Sequence, residues 1–199
     1  MRRKDNVSRF LGDMMIDLIS NKVTVRMHKS RRIDGKYGGL YWGGDKELDV
    51  AFGRPIRDWL GDAVHEYCHF LQEMQKGSVW YTCDKYHQNF FEWLEGDKDI
   101  VCDSDVLGAI ELERDCDMRA VSLIRQYDLP INLDRYIKSS NAYLFSYQAM
   151  YKKRQWTDKK GAHGVNDIVE IMPNEHLPLS HYKKMPEGFY ELVENNCFK

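Results

Sequence analysis

The stretch DAVHEYCHFLQ, residues 62–72, sets two histidines four positions apart, with a glutamate directly after the first. Around it Ile56, Trp59, Leu60, Ala63, Tyr67, Phe70, Leu71 and Met74 recur at the period of a helix. The spacing predicts one helix from Pro55 to about Gln75, stopping before Gly77. At about 100° per residue, His65 and His69 lie within roughly 40° of each other, so both rings leave the helix in one direction. Two imidazoles so placed can share one metal ion. They lie opposite the apolar stripe, beside Gly61, Asp62, Gln72 and Glu73, and are expected to face a cleft or solvent. Glu66 is about 100° further round, able to reach a water on such an ion without being a ligand.

A second segment, DVLGAIELERDCDMRAVSLIRQY (residues 105–127), also has helical period. Val106, Ala109, Ile110, Cys116, Ala120, Val121 and Ile124 form its apolar arc, yet Glu113 sits in the middle of that arc and Asp117 about 40° away. A buried ionised carboxylate costs several kcal/mol unless an arginine, a proton or a metal compensates it. Unless this helix is only partly covered, two readings follow. Glu113 and Asp117 pair with an arginine such as Arg57, or Glu113 joins His65 and His69 as a third ligand. Two histidines, a glutamate and a water form a catalytic zinc arrangement. Asp117 would then accept the N–H of a liganding histidine and fix its tautomer. Cys68 and Cys116 fall near the same place on the helical wheels and read as small core residues.

Working outward, Phe10, Leu11, Met14, Met15 and Leu18 predict an amphipathic helix from Val7 to Ile19. KVTVRMHKS (residues 22–30) alternates as a strand does. Gly38-Gly39 and Gly43-Gly44 mark turns around two short runs, the second with Leu48, Val50 and Phe52 on one face. Residues 78–103 look less regular and carry Trp80, Tyr81, Phe90, Phe91 and Trp93. Helices are expected from Asp103 to Tyr127 and from Leu133 to Arg154, followed by an irregular tail with Pro173, Pro178 and Pro186. The fold class is therefore α+β, with a small antiparallel or mixed sheet, read as a single domain over residues 1–199.

The chain is 43% hydrophobic and 30% charged with a net charge of −2, so nothing draws it generally to nucleic acid or an anionic membrane. HKSRR (residues 28–32) is a short basic run of the kind found in solvated turns. Asp13 and Asp17 interrupt what a secretion signal would need as an apolar core, and no apolar run reaches membrane-spanning length. Five scattered cysteines without a C-x-x-C pair favour reduced thiols and a cytoplasmic setting, although a Cys83–Cys102 pairing is conceivable. The sequence sets no oligomeric state.

On HEYCH (residues 65–69) and the E-x-x-x-D of ERDCD (residues 113–117), the chain resembles a gluzincin-type zinc metallopeptidase, and in its shortness the compact minigluzincins. The resemblance covers about residues 23–127. It implies a zincin core over about 21–127 with a helical or irregular extension over about 131–199. It implies Zn2+ held by His65, His69 and Glu113, Glu66 as general base, and Asp117 orienting a ligand. The activity implied is hydrolysis of a polypeptide substrate, as an endopeptidase whose zinc-bound water Glu66 activates. The strand from Leu48 to Phe52 would be the sheet edge on which an extended peptide pairs. The oxyanion-stabilising group has candidates in His163, His176, His181 and Tyr182. DKYHQNFFEW (residues 84–93) offers a rival third ligand, His87, and resembles the site of SprT-like proteases. A further alternative is a zinc-stabilised protein-binding module that meets its partner through the aromatic residues between Ser78 and Trp93.

Overall fold

The computed structural model describes residues 3–157 and 161–198 and has the expected α+β architecture. By their contacts the residues divide into two compact units, Met1–Gln75 with Met118–Leu133, and Lys76–Asp117 with Asp134–Lys199. Of the three points where the chain passes from one to the other, Asp117–Met118 falls inside one long helix.

The first unit opens with α1 (Arg3–Ser20), whose Val7, Phe10, Met14 and Leu18 are buried at intervals of three and four. That stripe is the reason the segment is helical. The ring of Phe10 meets Tyr67 and Tyr127 edge-on, with centroids 6.1 and 5.3 Å away. Three strands follow: β1 (Thr24–His28), β2 (Gly39–Trp42) and β3 (Glu47–Ala51). Their order is β1-β3-β2, with β1 parallel and β2 antiparallel to β3. This corrects one expectation: the strand around Leu48 to Phe52 is the centre of the sheet and offers no edge. Parallel and antiparallel ladders occupy both its sides, and Leu48, Asp49, Val50 and Ala51 are all buried. The edges are β1 and β2.

Helix α2 (Ile56–Met74) then packs along β2 and β3. Gly38 and Gly39, expected to form a turn, serve this approach instead. A Cβ on Gly39 would lie 2.6 Å from Cγ of Glu66, and one on Gly38 would strike the carboxylate of Asp62. Arg54 fixes the junction, donating to the Asp62 carboxylate and, at 3.2 Å, to the carbonyl of Ala51. The Tyr41 hydroxyl of β2 donates to Glu73 one face along. Gly43-Gly44 do lie in the turn joining β2 to β3.

The second unit contains α3 (Val79–Glu95), most of α4 (Asp103–Gln126), α5 (Leu133–Lys153), α6 (Asn166–Glu170) and α7 (Phe189–Cys197). The segment expected to be irregular is thus mostly the regular helix α3. It ends on Gly96 at φ 90°, a left-handed cap that glycine tolerates without strain. Only Phe90 and Trp93 of α3 are fully covered, so its apolar stripe is too narrow to dominate the aromatic residues on its other faces. Phe90, Trp93, Val106, Ile110, Phe145, Tyr147, Ile168, Phe189 and Val193 belong to one buried cluster. The tail is held to α5 by Asn141, whose amide donates to the carbonyls of Pro173 and Glu175, each at 2.9 Å. Among the described residues no helix is long and apolar enough to cross a membrane. All five cysteines are free thiols, so Cys83 and Cys102 are not paired.

Candidate metal centre

Helix α2 brings His65 and His69 together as its period requires. Their Nε2 atoms are 3.2 Å apart, with the two rings nearly perpendicular. Two nitrogens bound to one tetrahedral zinc at the usual bond length would be about 3.3 Å apart. A single imidazole–imidazole hydrogen bond needs a similar distance, so the protonation state matters more than the spacing. Here Gln72 decides. Its Oε1 lies 2.9 Å from Nδ1 of His69, and a carbonyl oxygen can only accept, so the His69 proton is on Nδ1. In its neutral form His69 therefore turns the lone pair of Nε2 toward His65. Fixing the outer nitrogen in this way is how proteins prepare an imidazole to ligate a metal.

The face carrying these groups is partly covered. His69 and Gln72 are buried, and His65 and Glu66 half-buried. A covered Gln is costly unless its amide is bonded, and the His69 contact provides one such bond. The stripe expected to form the core is covered only in its middle, for Ile56 and Met74 at the helix ends are exposed. Glu66 lies beside Gly39 at the start of edge strand β2. Sequence reasoning gave Gln72 no role; its signal was its position one turn after His69 on the same polar arc.

Cys116, read from the sequence as core filling, is buried on α4. The donors fit a metal by their chemistry: neutral imidazole, from His65 and His69, and thiolate, which Cys116 could supply, are the ligands that structural zinc favours.

Glu113 is buried as its place on the helical wheel predicts, at 4% exposure. Its Oε1 stands 3.3 Å from Nε2 of His87 on α3. Its charge is the next cause, after burial, of a Tyr147 hydroxyl held well above its ordinary pKa. Asp117, equally buried, accepts from Tyr136 Oη at 2.9 Å on one oxygen and from Ser140 Oγ on the other. His176 Nε2 stands 3.0 Å from the same Ser140 oxygen. These residues are a Ser, a His and an Asp in contact, but in the wrong order for a nucleophile. The single Ser140 proton goes to Asp117, so His176 must donate to Ser140 and cannot act as its base. Burial lowers the pKa of His176, against the opposing charge of Asp117.

Arg57, the arginine suggested as a carboxylate partner, is exposed and pairs with its neighbour Asp58 at 3.7 Å. Of the groups considered for an oxyanion, Tyr182 is buried, with its hydroxyl donated to Asn141 and its pKa pushed up to about 12 by burial. His163 and His181 are exposed. No known protein family, curated protein or solved structure matches the chain.

Proposed function

We propose that the chain is a zinc-dependent peptidase. The carrying observation is the His65–His69 pair, with Nε2 atoms 3.2 Å apart and the His69 tautomer set by Gln72. His65, His69 and Glu113 would hold the ion, as the resemblance to gluzincins implies. Zinc would supply a Lewis acid that acidifies water and polarises a peptide carbonyl. Glu66, following His65 on the same helix, would take the proton from the attacking water and return it to the leaving amine. β2, an edge strand with Gly39 beside Glu66, is where an extended polypeptide substrate would align its backbone. The scattered cysteines without a C-x-x-C pair support a reducing compartment, and a cytoplasmic setting is part of this proposal.

Cys116, buried on α4 less than one turn after Glu113, carries a second reading. If its thiolate bound the ion together with His65, His69 and Glu113, the site would have four protein ligands and no place for water. Such closed sites are structural, and the chain would then be a zinc-stabilised binding module.

The test is elemental analysis and casein hydrolysis on wild type, Glu66→Gln, Glu113→Ala and Cys116→Ser. For the peptidase, wild type carries one zinc, Glu66→Gln keeps it but loses about 10²–10⁴-fold in rate, and Cys116→Ser keeps both metal and activity. Zinc lost in Cys116→Ser, with no hydrolysis by wild type, selects the binding module. No zinc uptake by wild type ends both readings.

A further inference from the structure

His87 stands outside the residues assigned above, and its surroundings are unusual. Its Nε2 is buried and makes no hydrogen bond among the described residues, a state that costs free energy in a folded protein. The acceptor beside it is Oε1 of Glu113, at 3.3 Å, which a small rotation of the imidazole would satisfy. The placement is not accidental to the packing. α3 and α4 meet closely at Gly108, where a Cβ would come within 2.5 Å of the side chain of Tyr86, the residue before His87. The ring of Phe91, one turn along α3, stacks at a tilt on His87 with centroids 4.2 Å apart and limits its rotation.

We infer that His87 is the positioning residue for Glu113, its Nε2–H directed to Oε1 so that the direction of Oε2 is set. This rests on the reading of Glu113 as a metal ligand and deepens it. Ligating carboxylates are themselves held by hydrogen bonds, and loss of the outer partner typically costs 10–100-fold in metal affinity. His87 thus acts on the metal through Glu113 rather than by binding it.

The experiment uses the full chain in three forms: wild type, His87→Gln, which offers an amide N–H near the place of Nε2, and His87→Phe, which offers none. Zn2+ affinity is measured by chelator competition, and the visible spectrum of the Co2+ form reports the ligands. The expected result is near wild-type affinity in His87→Gln, a loss of about 10–100-fold in His87→Phe, and one Co2+ spectrum in all three. A Co2+ spectrum altered in both variants would make His87 a ligand and overturn the inference. Unchanged affinity in His87→Phe would overturn it equally.

A double-mutant cycle in the metal-free protein, His87→Phe against Glu113→Gln, separates this idea from the metal reading. Coupling between the two substitutions supports the contact even if wild type binds no metal. Additive effects with no metal binding remove the contact and the role together.

Discussion

Helices α2 and α4 both bury polar side chains, but they satisfy them by opposite means. On α2 the contacts that define the candidate site are one turn long: His65 with His69, and His69 with Gln72. On α4 the partners come from elsewhere in the chain: His87 for Glu113, and Tyr136 and Ser140 for Asp117. The first arrangement is fixed once the helix forms. The second exists only when several helices have packed, so it ties the chemistry of α4 to the stability of the fold.

If that difference is real, the largest effect should come from a remote partner of α4. Ser140→Ala removes the hydroxyl that donates to one oxygen of the buried Asp117 carboxylate, and leaving such a group short costs about 1–3 kcal/mol or more. Chemical denaturation should show that loss, with Ser140→Thr recovering most of it because the hydroxyl is restored. An unchanged denaturation midpoint for Ser140→Ala would mean that Asp117 does not depend on the Ser140 hydroxyl.

The matching change on α2 should behave differently. Gln72→Leu replaces the amide by an apolar side chain of similar size in a fully buried position, so the helix survives. What is lost is the acceptor that keeps the proton on Nδ1 of His69. Titration with Co2+ should show affinity reduced by about 10–100-fold, and Gln72→Glu, which retains the acceptor, should bind at least as well as wild type. Equal affinity in Gln72→Leu would break the comparison, because the α2 pair would not be prepared by its own helix.

The same difference explains what the sequence could reveal. His65, Glu66 and His69 were legible because a helix of known period decides which side chains share a face, and burial of Glu113 and Asp117 followed from the same geometry. The partners of those carboxylates were not legible, since Ser140 lies 23 residues from Asp117 and no local period connects them. β3 was recognisable as a strand from Leu48 and Val50, yet its place at the centre of the sheet depends on pairing with β1, which no pattern within β3 records. α3 was missed for a related reason. Tyr86, Phe90 and Trp93 keep a helical interval, but only two of its residues are covered, and the stripe is diluted by aromatics that face outward.

The smallest effect expected is a pH dependence carried by His176 through the α4 network. Burial holds its pKa below the ordinary value of 6.5, with Arg114 acting the same way and Asp117 opposing. As pH falls through about 6.5, the unfolded chain takes up this proton before the folded one does, so the stabilising contribution is present above that pH and lost below it. His176→Gln keeps a donor for Ser140 but cannot titrate. Between about pH 7.5 and pH 5.5, wild type should therefore lose more stability than His176→Gln, a difference read from paired denaturation midpoints. Parallel losses would show that the imidazole reaches water freely in the folded state. The tail would then touch α5 without sealing the network around Asp117.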